Sequence, residues 1–158
     1  MNRKSSIVGI WFILLFFLVC NFGCSKNSES KPALTPDQIL TSNTWKIVED
    51  HGLFNSTVIN YQRGRSFNSS NLDGDSIRFK PDGTGSQWSG NPAALIPVNW
   101  QFINDQKTQL NVTLNFSPSF SLKYQWDFFV LAEDSIKYNA SYNLNGNSDF
   151  ETVVRVPN

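Results

Sequence analysis

The chain has 158 residues, and its 13 basic and 13 acidic side chains cancel to a formal net charge of zero. Without a basic surplus we expect no nucleic-acid partner. The length suits one folded domain. A single histidine, His51, leaves no second one for a histidine-based metal site or catalytic relay.

The first 23 residues predict a bacterial lipoprotein signal peptide. Two basic residues precede an apolar run over 7–20, and Gly23 stands directly before Cys24. This is the layout of an export signal, with a small residue where the peptidase would cut. The apolar run is shorter than the roughly 20 residues that a helix needs to cross a bilayer. We therefore favour a cleaved signal over its alternative, an uncleaved membrane span.

Cleavage before Cys24 would leave that sulfur to carry a lipid. No second cysteine follows in the sequence, so we expect no disulfide within the mature chain. The lipid predicts a membrane-anchored protein of the bacterial cell envelope, most naturally at the outer membrane, with the face of the membrane left open. Residues 24–34 are polar and aperiodic, which predicts a flexible tether ahead of a folded domain at 35–158.

A short helix is predicted to open this domain. Thr35 suits an N-cap, Pro36 suits the first helical position, and Gln38 completes a capping box. Only two apolar residues follow before the polar segment 41–43. The helix is therefore expected to span one or two turns.

Beyond residue 43, apolar and polar side chains alternate with a period of two. Strands are predicted near 44–50, 56–62, 77–79, 84–89, 98–102, 110–117, 122–130, 136–142 and 152–156. No second helix interrupts this series. The pattern predicts an all-β fold, a small antiparallel up-and-down barrel of 8–9 strands with one short N-terminal helix; a sandwich is the alternative.

Several segments of the chain carry a resemblance to a known family. They are Cys24–Lys26, Leu40–Ile47, Ile77–Thr84 and Trp100–Phe102. The chain is similar to the lipocalin-like lipoproteins common in Bacteroidetes, which often carry Leu-x-Gly-x-Trp at the start of the barrel and Phe-x-x-Asp-Gly-Thr at a hairpin. Asn43 stands where the glycine is usual. The resemblance covers most of 35–158 and implies a lipocalin-like ligand-binding or accessory barrel.

The resemblance also implies a structural pair. In lipocalins the tryptophan of the first strand plugs one end of the barrel, and a basic residue of the last strand lies across its ring. Trp45 and Arg155 occupy the matching positions here. A closed barrel would bring them together, and the guanidinium would stack on the indole as a cation–π pair. The alternative is a solvated arginine near a terminus and a tryptophan that only fills the core.

No set of residues in the sequence indicates catalysis. His51 lies among polar residues at a predicted strand end. The acidic run 71–75 imitates a calcium-binding EF-hand loop, but Ser76 stands where that loop needs glycine. Asp127 and the pair 133–134 lie on a polar strand face and in a turn, not as a facing carboxylate pair. We predict no enzyme, no catalytic residue, no metal and no cofactor.

The aromatic residues of the strands are the better functional candidates. The period-two pattern places most of them inside the barrel, and six are candidates for lining a ligand site: Trp88, Trp100, Phe102, Tyr124, Trp126 and Tyr138. Such side chains can enclose a small apolar molecule or stack on a glycan. The alternative is that they fill a solid core. The barrel would then serve as a structural or interaction component of an envelope complex, with the polar loop 63–74 as a contact surface.

Overall fold

In the computed structural model, which describes residues 32–90, 92–144 and 146–158, one helix and nine strands form the domain. The predicted signal peptide and Cys24 lie outside the described residues. The elements are α1 (Pro36–Ser42), β1 (Thr44–Phe54), β2 (Thr57–Gln62), β3 (Ser76–Phe79), β4 (Thr84–Gly90), β5 (Ala93–Phe102), β6 (Gln109–Ser117), β7 (Phe120–Leu131), β8 (Ile136–Leu144) and β9 (Asn147–Pro157).

Helix α1 begins at the capping box expected from the sequence. The Thr35 side chain accepts a hydrogen bond from the Gln38 backbone N–H, and the Gln38 side chain accepts one from the Thr35 N–H. These bonds satisfy two of the donors that a helix start leaves unpaired. Lys107, in the β5–β6 connection, forms an ion pair with Asp37 in the first turn. The helix is thereby fastened to the barrel.

The strands form a closed antiparallel barrel, which confirms the predicted all-β class. Neighbouring strands pair in chain order from β3 to β9, and β1 pairs with both β3 and β9. Eight strands therefore close the barrel. β2 is the additional strand: it folds back on the second half of β1, from Glu49 paired with Gln62 to Phe54 paired with Thr57.

The two ends of the barrel differ. Trp45 is completely buried, and its indole N–H donates to the carbonyl of Leu40 in α1 at 2.9 Å. We call this the helix end. The β1–β2, β6–β7 and β8–β9 hairpins turn at the opposite end, the hairpin end. The helix end is packed solid: the Phe79 ring meets Trp100 and Trp126 edge to face, each with 5.7 Å between ring centroids.

A β-bulge in β1 changes which side chains face the interior. The register between β1 and β9 shifts between Ile47 and Glu49, where β1 has one more residue than its partner. A bulge of this kind moves the following side chains to the opposite face. Ile47 is buried before the bulge, and Asp50 is buried after it. The bulge therefore places a carboxylate inside the barrel.

β9 also turns a charged face inward. Its buried positions are Asp149, Glu151, Val153 and Arg155. The sequence marks this strand by the alternating residues Thr152, Val154 and Val156. These three are only partly buried and lie on the other face. An alternating strand can bury either set, and here the interior takes the charged one. The reason lies in a cavity that this face lines.

Candidate binding cavity

The hairpin half of the barrel contains a cavity of about 130 Å³ that is partly open to solvent. Its lining side chains come from β1, β4 and β6–β9, together with Asp75 just before β3. For comparison, a cavity of about 150 Å³ in an engineered protein core holds benzene. The chamber is therefore large enough for a small molecule, and its walls differ sharply in character.

One wall is aromatic. Trp126 on β7 and Tyr138 on β8 stack with 3.9 Å between ring centroids and an interplanar angle of 14°. Tyr124, two residues before Trp126, lies 4.8 Å from the ring of Tyr142. All but Tyr142 line the cavity. These rings offer an apolar surface with polar tips, as small-molecule sites commonly do.

Five of the six predicted ligand-lining residues separate into two groups. Tyr124, Trp126 and Tyr138 line the cavity. Trp100 and Phe102 pack against each other with 5.9 Å between ring centroids, and the Trp100 indole N–H donates to backbone carbonyls, among them that of Thr84 at 2.9 Å. These two rings belong to the packed core and its edge.

Trp88 is the exception that corrects the sequence interpretation. It is 44% exposed and lies on the outer face of β4. The register explains its position, because buried Ile77 on β3 pairs with Gln87 and Ser76 pairs with Trp88. Gln87 therefore points into the cavity in the place expected for Trp88.

The opposite wall is acidic. Asp50, Asp75 and Glu151 are buried and line the cavity. Sequence reasoning missed all three as site residues. The change of face at the bulge in β1 cannot be read from the alternation. In β9, however, the spacing of Glu151, Val153 and Arg155 was a usable signal, because residues two apart share one face.

Two glycines bring Asp75 to the cavity wall. A Cβ on Gly74 would lie 2.7 Å from the Cα of Gly90, and a Cβ on Gly90 would lie 2.6 Å from the Cα of Gly74. Only glycine at both positions permits this approach of the two backbones. The Gly90 N–H then donates to Asp75 Oδ1 at 2.7 Å, which fixes the carboxylate.

Arg155 stands between the two walls. Its Nε donates to the Tyr138 hydroxyl at 2.8 Å and its Nη1 donates to the Trp45 carbonyl at 3.3 Å. The guanidinium lies 5.8 Å from the centroid of the Trp126 ring. The first and last strands do pair as expected, with Ile47 opposite Arg155.

The expected stacking of Arg155 on Trp45 is corrected by these contacts. Among the described residues, the ring that the guanidinium faces is that of Trp126. The Trp45 indole is turned toward α1 by its hydrogen bond to Leu40. Arg155 therefore reaches Trp45 through its backbone carbonyl instead of its ring.

Burial dominates the electrostatics of the acidic wall. It raises the pKa of Asp50 to about 7, with Arg155 opposing and Asp75 adding to the rise. It raises the pKa of Glu151 to about 8, and the charge of Asp50 contributes to this. The pKa of Asp75 is raised for the same reason, against the hydrogen bond from Gly90. The wall can therefore take up and release protons near neutral pH.

Segment 71–75, whose sequence is similar to a calcium-binding loop, places one acidic side chain at the surface and one in the interior. The Asp73 carboxylate accepts a hydrogen bond from Tyr61 at 2.7 Å and lies near Arg63, whereas Asp75 faces the cavity. Across the part of the chain that the structure describes, no three His, Cys, Asp or Glu side chains are grouped as metal ligands. His51 is exposed.

A second concavity, of about 420 Å³, lies on the outer face of β5–β8. Its lining is mostly amide and hydroxyl side chains, including Asn99, Gln101, Asn111 and Gln125. The aromatic residues Trp100 and Tyr124 also contribute to it. This outer groove has the polar character that a glycan requires, whereas the interior cavity is smaller and charged.

No protein-family model matches this chain, and no curated protein matches it in sequence. Within 32–90, 92–144 and 146–158, no helix has the length and apolar character needed to cross a bilayer. Fold and cavity together define the class: a closed eight-stranded antiparallel barrel, packed at one end and hollow toward the other.

Proposed function

We propose that this protein is a non-enzymatic binding module of the bacterial envelope, a lipocalin-like barrel that holds a small ligand and is anchored by a lipid on Cys24. The partly open cavity of about 130 Å³ inside the barrel is the observation that supports binding. Protein interiors rarely leave voids larger than a water molecule, and buried charges without close partners are costly. A barrel that served only as a solid structural component would gain stability by filling this space.

A titration followed by tryptophan fluorescence tests the binding function, because Trp126 lines the cavity. Small aromatic and aliphatic compounds should change the emission, and Ala140→Leu should abolish the change. Ala140 is a buried lining residue, so the larger side chain occupies the ligand space. Ala93→Leu, on an exposed part of β5, is the matched control and should bind normally.

The same titration separates the alternatives. Oligosaccharides that bind irrespective of Ala140→Leu would point to the outer groove and a glycan ligand. If neither class of compound bound and Ala140→Leu only raised the melting temperature, the cavity would have no ligand. The structural or interaction component of an envelope complex would then be the better description.

The anchor makes its own prediction. Cys24→Ser should release the protein from the membrane fraction into the soluble fraction of the cell, since no lipid could be attached. Its unfolding curve should match that of the unmodified barrel, because we expect residues 24–34 to be a flexible tether outside the folded domain. Cys20→Ser is the control and should remain with membranes. Retention of Cys24→Ser in the detergent-extracted fraction would favour an uncleaved span.

A further inference from the structure

One carboxylate oxygen of the acidic wall, on Asp50, lacks a hydrogen-bond donor among the described residues. Asp50 is only 5% exposed, and its Oδ1 is enclosed without a hydrogen-bond partner among the described residues. Buried polar atoms are nearly always paired, and an unpaired carboxylate oxygen costs free energy. Because Asp50 lines the cavity, an occupant of the cavity is placed to supply the missing donor.

The basic group nearest to this wall has its hydrogen bonds elsewhere. Arg155 donates to the Tyr138 hydroxyl and to the Trp45 carbonyl. The ion pairs Arg63–Asp73 and Lys107–Asp37, both within the described ranges, include no residue of the cavity. Three carboxyl groups therefore share one guanidinium, and the fully ionised wall carries two negative charges in excess.

We propose that the cavity binds a small organic cation, an ammonium group on a short apolar body, with the ammonium against Asp50 and Glu151 and the body against the rings of Tyr124 and Trp126. This inference rests on the proposed binding function and names the class of its ligand. An ammonium group supplies both of the missing features, since it carries a positive charge and several N–H donors. The neighbouring rings attract the cation as well.

The shape and chemistry of the cavity favour this class over others. A volume of about 130 Å³ suits a body of the size of one aromatic ring. Calcium requires about six to eight oxygen ligands, and in the described part of the chain not even three His, Cys, Asp or Glu side chains are grouped to hold a metal ion. An anion would meet three carboxylates. At a pH where Asp50 and Glu151 are ionised, a neutral ligand would leave the excess charge of the wall uncompensated.

The affinity for an ammonium ligand should rise with pH between 6 and 8.5. Asp50 and Glu151, whose pKa values burial raises to about 7 and about 8, hold protons at pH 6 and release them at the upper end of this range. The cation binds the ionised form. The other titratable groups around these two carboxyls are Asp75, Tyr124, Tyr138, Tyr142, Asp149 and Arg155. Burial raises the pKa values of the three tyrosines, which therefore stay neutral over this range.

Calorimetric titration of the full chain in mild detergent tests the proposal with three probes of one size: benzylammonium, benzyl alcohol and benzoate. At pH 8.5 benzylammonium should bind at least about tenfold more tightly than the other two, and about tenfold more tightly than at pH 6. Asp50→Asn should weaken benzylammonium binding by about tenfold or more and leave benzyl alcohol unchanged. Glu151→Gln provides a second variant with the same expectation.

Glu49→Gln is the matched control, because it removes a carboxylate from the position directly before Asp50 in β1, which does not line the cavity. It should change none of the affinities. Two results would overturn the cation inference and leave the binding function standing. One is that benzyl alcohol or benzoate binds as tightly as benzylammonium. The other is that Asp50→Asn and Glu151→Gln both bind benzylammonium with unchanged affinity. Displacement of benzylammonium by micromolar calcium would also overturn the cation inference. If none of the three probes bound, both the cation inference and the proposed binding function would be overturned.

Discussion

Replacing Arg155 with methionine should lower the free energy of unfolding by about 3–5 kcal/mol at pH 9, the usual cost of removing one partner from a buried set of charges. Arg155 is 4% exposed and is the cation that offsets the acidic wall. Methionine retains a long apolar side chain. The loss will therefore report the missing charge and the hydrogen bonds to Tyr138 and Trp45 more than missing volume.

This loss should shrink toward acid pH. Burial raises the folded-state pKa of Asp50 to about 7 and that of Glu151 to about 8, above their ordinary values of 3.8 and 4.5. Such groups contribute stability that is fully present below the unfolded pKa and is lost as pH rises through the folded pKa. The unmodified protein should therefore lose stability as pH rises from about 4 to about 8, and little more above that. The variant should go on losing stability above pH 8, because without Arg155 the folded-state pKa values of Asp50 and Glu151 rise further.

Urea unfolding followed by circular dichroism at pH 5, 7 and 9 measures this difference. At pH 5 the carboxyls are protonated in both proteins, and the difference should fall to the value of the lost hydrogen bonds, about 1–2 kcal/mol. Lys137→Met removes an exposed basic residue from β8 and serves as the control. If Arg155→Met and the unmodified protein had the same free energy of unfolding at pH 9, the role assigned to Arg155 would be contradicted.

The fold was predictable from the sequence where one face of a strand is buried and the other is exposed to solvent. In β6, Leu110, Val112 and Leu114 are all buried, as their alternation with polar residues indicated. The capping box of α1 depends on residues three apart, so local chemistry alone identifies the start of the helix. Strand number and closure follow from such local signals, together with the short connections between the strands.

The cavity was harder to predict because it depends on register. The bulge between Ile47 and Glu49 reverses the faces of β1, and its cause lies in the pairing with β9. Charged residues are usually exposed, and before the bulge is known the alternation in β1 gives no reason to place Asp50 inside. The position of Trp88 follows from the register between β3 and β4. Pairings between distant strands leave no local pattern to read.

Trp45→Ala should lower the free energy of unfolding by about 3–5 kcal/mol, because it empties a fully buried site at the helix end of the barrel. It also removes the donor to the Leu40 carbonyl, which fastens the end of α1. We therefore expect the amide hydrogens of α1 to exchange with solvent faster in Trp45→Ala than in the unmodified protein. The increase should be larger in α1 than in β6–β8. Trp45→Phe, which keeps a ring but not the indole N–H, should lose less.

Trp88→Ala is the matched control for Trp45→Ala, because it removes the same side chain from a position that is 44% exposed on the outer face of β4. Its loss should stay near 1 kcal/mol or below, as most surface substitutions do. Urea unfolding followed by circular dichroism compares the three variants without depending on tryptophan emission. Equal losses for Trp45→Ala and Trp88→Ala would mean that Trp45 does not close the barrel. Unchanged exchange in α1 would mean that other contacts, such as the ion pair between Lys107 and Asp37, hold the helix in place.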